Sequence, residues 1–199
     1  MHMTFPMLLT LLRIALIPVL VLFFYLPYNW SSIATAVVFI FAAITDWLDG
    51  YLARRMNLMT SFGAFLDPVA DKLMVVTALV LLVSRNPAVL FTLSAAIIIG
   101  REIAISSLRE WMAEMGKRGH VKVTGLGKLK TIFQMTAISM LLFERDLLGV
   151  PLLFLGLALL YLAAALTLWS MWVYLHAAWP TISEAQQPMT DNNHSDQEH

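Results

Sequence analysis

Cysteine is absent from the 199 residues, which excludes disulfides, thiolate metal sites and thiol nucleophiles without fixing a redox compartment. Charge is scarce: Lys, Arg, Asp and Glu make up 13% of the chain against 59% hydrophobic residues, and the mean hydropathy is +0.75. A soluble domain carries about 25% charged residues, so this composition excludes one and points to an integral membrane protein. Basic and acidic residues balance at 13 each, so the global charge says nothing about partners, and no nucleic-acid partner is expected. No tandem repeat is visible, and a second domain is not expected.

What the chain does have is apolar runs, at about 8–28, 33–53, 65–83, 88–108, 129–143 and 148–178. Most approach the roughly 20 residues that a helix needs to cross a bilayer. The expected fold is therefore an all-α integral membrane protein with six transmembrane helices, the fifth short unless it starts near Val123. The first run is interrupted by Arg13 and has no small-residue cleavage pattern behind it, so no cleaved signal peptide is expected. Arg54 and Arg55 fall between the second and third runs. Arg109, Lys117, Arg118, Lys122, Lys128 and Lys130 fall at or between the fourth and fifth, whereas the opposite connections carry chiefly Arg85 and Arg145. By the positive-inside rule both basic connections, and with six spans both termini, are expected in the cytoplasm. Residues 1–180 are read as the membrane domain and 181–199, polar and aperiodic, as a disordered cytoplasmic tail.

Four aspartates stand out in this apolar setting: Asp46, Asp49, Asp67 and Asp71. On a helix Asp46, Asp49, Gly50 and Ala53 follow the i, i+3, i+4, i+7 pattern and share one face. Asp67 and Asp71, four apart, share a face of the next helix. A connection of about ten residues, 54–63, is expected to set the two helices side by side and antiparallel, so that the four carboxylates converge. Two such charges 4 Å apart repel by about 4 kcal/mol at an effective dielectric of 20. Arg54, Arg55 and Lys72 are insufficient compensation, so the cluster must protonate or bind cations. Oxygen-only donors select a hard ion, Mg²⁺, Mn²⁺ or Ca²⁺, over zinc or copper; magnesium is the first choice and manganese the second. Gly50 and Ala53 leave room on the same face for a base or sugar, although small residues also serve helix packing. Arg54, one turn on, is placed to pair with diphosphate oxygens.

The eight residues Asp46, Asp49, Gly50, Ala53, Arg54, Gly63, Asp67 and Asp71 spell D-x2-D-G-x2-A-R-x8-G-x3-D-x3-D over 26 positions. This pattern resembles the signature of the CDP-alcohol phosphatidyltransferases, and the resemblance covers most of the chain. It implies the six-helix fold of that family, a homodimer, and Mg²⁺ or Mn²⁺ as a pair of ions. It further implies Asp46, Asp49, Asp67 and Asp71 as the metal site, with Asp71 also the general base. Asp46, Asp49, Gly50, Ala53, Arg54 and Gly63 are the implied CDP-binding residues, Gly63 by letting the next helix approach closely. The implied chemistry is attack of an alcohol on the lipid-side phosphorus of a CDP-activated lipid, with CMP leaving. Direct displacement is favoured, and a covalent intermediate is left open.

The acceptor must be read elsewhere. The segment R-E-I-A-I-S-S-L-R-E-W from Arg101, the run Gly127-Lys128-Leu129-Lys130-Thr131 and the start Phe5-Pro6-Met7-Leu8-Leu9-Thr10-Leu11-Leu12-Arg13 resemble bacterial family members whose acceptor is sn-glycerol 3-phosphate. Met7 departs from an asparagine frequent there. The expectation is phosphatidyl transfer from CDP-diacylglycerol to sn-glycerol 3-phosphate, giving phosphatidylglycerol phosphate and CMP in the inner membrane of a bacterium. Arg109, Lys128 and Lys130 are the candidate acceptor-phosphate residues, because a phosphorylated acceptor requires cations. Lys117, Arg118 and Lys122 are read as a topology anchor that attracts anionic lipid headgroups. Arg101 with Glu102, inside the fourth run, is expected to form an internal ion pair or network tying helices together. Arg13 either reaches the site or snorkels to headgroups. The competing readings are a phosphatidylserine or phosphatidylinositol-phosphate synthase, which shares the aspartates, and, remotely, a metal-ion transporter.

Overall fold

Lipid offers no hydrogen bonds to a backbone, so a chain this apolar must satisfy its amides internally, and the helix does so within one segment. The computed structural model describes residues 5–56, 61–114, 125–146 and 149–185. Among them are six helices: α1 Phe5–Tyr25, α2 Ser31–Met56, α3 Ser61–Arg85, α4 Val89–Glu114, α5 Gly125–Phe143 and α6 Leu152–Ala185. Buried hydroxyls return their hydrogens to carbonyls of their own helix: Thr35 donates to Ser31 O at 2.8 Å, Thr45 to Ala42 O at 2.7 Å and Ser94 to Leu90 O at 2.9 Å. That local bonding lets polar residues sit in an apolar interior.

Four helices are long and apolar enough to cross a membrane, through the segments Met7–Tyr25, Ser31–Leu48, Val89–Met112 and Leu152–Val173. The fifth carries the shorter apolar segment Leu129–Phe143, as its sequence led one to expect. In α3 apolar continuity is broken by Asp67, Asp71 and Lys72. The exterior matches this reading. Trp47, Phe154 and Trp172 are 69%, 71% and 69% exposed, apolar surface that a bilayer covers and water would not. This is a multi-pass membrane protein.

Leu20, Phe24, Phe39, Leu79, Ile98, Ile138, Leu142 and Leu160 form one core drawn from all six helices. The helix α1 packs against both α2 and α3 more extensively than those two pack on each other. α5 and α6 form the tightest pair. A side chain at Gly156 would meet Leu141 Cγ at 2.9 Å, so glycine is what permits that approach.

Two expectations are corrected. Both helices flanking the first basic connection extend further than the sequence suggested, so only 57–60 separate α2 from α3 instead of about ten residues. α2 runs on through Arg54, Arg55 and Met56, which suit a helix, and α3 already starts at Ser61 and takes in Gly63, which reads in sequence as a break. At the other end α6 continues through Ala185, past the expected boundary at 180 and into the expected tail of 181–199; the rest of that tail, 186–199, lies outside the described residues.

Candidate active site

The site is assembled at the end of the bundle where α2 finishes and α3 begins. Asp46 lies near the end of the apolar part of α2, with Trp47 turned to the outside. Its side chain is 38% exposed, and Asp46 Oδ1 lies 2.8 Å from Nη1 of Arg13, itself only 1% exposed. One turn earlier on α1, Thr10 donates its hydroxyl hydrogen to Asp67 Oδ1. The first helix thus reaches both acidic helices, through residues three apart on one of its faces. Asp46 is also in electrostatic reach of Asp67, and Asp71 of Asp46, so the three described aspartates form one charged cluster.

Arg13 was left ambiguous by the sequence, and the structure assigns it to the site. This changes the charge argument. Asp46 has a guanidinium partner that Arg54, Arg55 and Lys72 do not include, so repulsion alone does not require a metal at that carboxylate. Lys72 donates to Ser106 Oγ on α4. Among the described residues no three acidic, histidine or cysteine side chains close into a metal-holding group. The Asp49 side chain, the fourth expected ligand, lies outside the described residues, one turn beyond Asp46 on the same helix. The donor chemistry fits a hard divalent ion: among the described residues the cluster offers carboxylate and hydroxyl oxygens and no histidine or sulfur ligand.

Asp71, one turn past Asp67 on α3, faces a cavity of about 70 Å³ also lined by Lys72, Glu102, Thr131 and Gln134. Pro68 lies between the two aspartates inside the helix and supplies no backbone N–H, which interrupts the helical ladder there. Gly63, a turn before Asp67, is buried.

On the acceptor side, Lys130 is not a free cation at the rim. It is 3% exposed, and its Nζ donates to Glu102 Oε1 at 2.8 Å. Arg101 Nη1 donates to the same oxygen at 3.2 Å, and its Nη2 to Ser170 Oγ on α6 at 3.4 Å. The internal network expected for Arg101 and Glu102 is present and takes in Lys130, because the first turns of α5 point that residue inward. The side chains of Ala53, Arg54, Arg109 and Lys128, and the surroundings of Gly50, lie outside what the structure describes. Thr10 and the link from Glu102 to Lys130 were missed by sequence reasoning. A signal existed for both: each is a polar residue inside an apolar run, at helical spacing from another.

Fold and site together define a multi-pass membrane protein with an acidic cluster at one end of a helical bundle. Comparison with known proteins makes the class specific. A family model described as CDP-alcohol phosphatidyltransferase matches residues 3–169, and the chain belongs to that family. A protein of Pseudomonas fluorescens named CDP-diacylglycerol--glycerol-3-phosphate 3-phosphatidyltransferase is 56% identical over 187 residues, covering 90% of this chain and 92% of that protein. Proteins of the same name from Yersinia pestis (strain Pestoides F) and Shigella flexneri serotype 5b (strain 8401) are each 53% identical, over 92% and 89% of this chain and 100% and 96% of their own lengths.

Proposed function

We propose that this enzyme transfers the phosphatidyl group of CDP-diacylglycerol to sn-glycerol 3-phosphate, releasing CMP and forming phosphatidylglycerol phosphate. The observation that carries the reading is the near full-length identity to relatives bearing that name, on a chain whose aspartates gather at one bundle end. In the reaction an acceptor hydroxyl oxygen bonds to the lipid-side phosphorus, the bond from that phosphorus to the CMP oxygen breaks, and CMP leaves. Asp71 lines the cavity beside the cluster and accepts the hydroxyl proton. A carboxylate is a weak base for an alcohol, so Asp71 acts late, in a loose transition state where positioning dominates. Arg13 and Thr10 hold Asp46 and Asp67 in place.

Asp46, Asp49, Asp67 and Asp71 would hold magnesium or manganese, which when bound would supply charge neutralisation to the diphosphate. Gly50, Ala53 and Arg54 on the continuing face of α2, with Gly63, form the CDP pocket. Arg109 and Lys128 are the acceptor-phosphate cations, with Lys130 contributing from its buried pair. The enzyme works as a homodimer among the lipids of a bacterial inner membrane, with the site and both termini cytoplasmic.

The test offers the purified protein CDP-diacylglycerol with labelled glycerol 3-phosphate, serine and inositol phosphate in parallel. Phosphatidylglycerol phosphate is the expected product. Equal or preferential use of serine or inositol phosphate overturns the acceptor assignment. Because the chain lacks cysteine, Ser61→Cys supplies a single label for orientation. It is expected to react from the cytoplasmic side, and reaction only from outside contradicts the topology.

A further inference from the structure

The helices α4 and α5 do not pack against each other; among the described residues α4 packs on α3 and α6, and α5 on α2, α3 and α6. The cavity beside Asp71 lies in the space this leaves, walled by Asp71 and Lys72 from α3, Glu102 from α4, and Thr131 and Gln134 from α5. The Lys130 side chain reaches across to Glu102, so an ion pair bridges two helices whose backbones stay apart. An ion pair is a poor choice for mere cohesion here. The Lys130 ammonium is almost wholly buried while Glu102 is a quarter exposed; taking a charge out of water costs on the order of several kcal/mol per fully buried ion, and well-packed apolar residues often do better.

The position of Glu102 suggests a different use. At about 70 Å³ the cavity is far below the roughly 300 Å³ of pockets that enclose nucleotide-sized ligands, while one water needs only about 10–15 Å³. It has room for the hydroxyl end of a small alcohol or a few waters. The charged groups facing it are Asp71, which is in electrostatic reach of Glu102, together with Lys72 and Glu102 itself, and Lys130 comes to its edge through its bond to Glu102. The nucleotide face of α2 has no packing contact with α4 among the described residues.

We propose that Glu102 is a positioning residue for the acceptor, fixing the Lys130 ammonium beside the cavity lined by Asp71 so that the attacking alcohol is received there. This rests on the reading of the protein as a phosphatidyltransferase with a small hydroxylated acceptor. It adds a residue outside the aspartate motif.

The experiment measures steady-state kinetics for both substrates with the full-length enzyme in lipid nanodiscs, comparing wild type with Glu102→Gln, Glu102→Asp, Lys130→Met and the Glu102→Gln/Lys130→Met double variant. Glu102→Gln is expected to raise the acceptor KM by about tenfold or more while the KM for CDP-diacylglycerol stays within about twofold. Glu102→Asp should recover part of the loss. Lys130→Met should show the same split, and the double variant should be no worse than Glu102→Gln, since each single variant breaks the Glu102–Lys130 pair and Glu102→Gln also loses the contact to Arg101. Equal losses on both substrates, or additive losses in the double variant, overturn the proposal. If Glu102→Gln fails to fold, Glu102→Asp and Lys130→Met decide it by the same split. Wild type turning over another alcohol instead of glycerol 3-phosphate defeats the proposed acceptor; the Glu102 series is then read with that alcohol, so the two failures are separable.

Discussion

Both ends of the bundle carry arginines and carboxylates, and they use them in opposite ways. At the end away from the aspartates, Arg85 Nη2 donates to the Phe24 carbonyl at 3.0 Å, its guanidinium stands 4.0 Å over the Phe24 ring, and it pairs with Glu144. Arg145 donates to the Asn29 carbonyl. These cations are spent on helix ends and loop carbonyls, which ties α1, α3 and the α5–α6 connection together. At the aspartate end the carboxylates lie inside helices, one turn apart, and a buried arginine comes to them. The difference teaches that charge in a membrane protein is informative by location: at helix ends it closes backbone valences, and within a helix face it marks chemistry.

The comparison can be broken most sharply at Asp71. Asp71→Asn is expected to lower kcat by roughly 10²–10⁴-fold with CDP-diacylglycerol binding largely kept, measured by CMP release and by titration with the CDP-lipid. Near wild-type turnover in that variant removes Asp71 as the proton acceptor. Next in size, Asp46→Asn or Asp67→Asn should weaken Mg²⁺ or Mn²⁺ binding by at least about 10–100-fold, the range found when only a ligand's outer-shell partner is lost. Isothermal titration with the metal alone reads this independently of activity.

A smaller effect is expected at Arg13. Arg13→Gln should cost about tenfold in kcat/KM, and Arg13→Lys should restore part of it, because Asp46 loses a charged partner that orients it. Unchanged kinetics in Arg13→Gln would make the pair structural only. Smallest of all, Glu144→Gln at the far end should change stability by no more than about 1 kcal/mol, since an ion pair a third exposed on each side is largely screened. Its turnover should match wild type. A large kinetic effect there would erase the distinction between the two ends.

How much of this was legible in the sequence follows from the range of each signal. Helical spacing put Asp46 with Gly50 and Asp67 with Asp71 on shared faces, and hydropathy located the six helices to within a few residues at most ends. Spacing says nothing about which neighbour covers a face. That α1 would pack against both α2 and α3 and deliver Thr10 and Arg13 to the aspartates is a matter of tertiary packing, and Arg13 was accordingly left between two roles. Lys130 shows the same limit: basic residues at a helix end suggested an open anion site, and the inward turn of α5 gave this one to Glu102. The short α2–α3 connection was missed because Arg54, Arg55 and Met56 lie beyond the apolar run of α2 and Gly63 reads in sequence as a break, although the helices include them all.

The most direct measurement of the central claim is the simultaneous appearance of CMP and phosphatidylglycerol phosphate from CDP-diacylglycerol and glycerol 3-phosphate, in wild type and in Asp71→Asn, with Mg²⁺ and with excess chelator. Equal molar release of both products by wild type with Mg²⁺, and loss of both in the variant and under chelation, is the predicted result. Full product formation by metal-free wild type, or by Asp71→Asn, would contradict it.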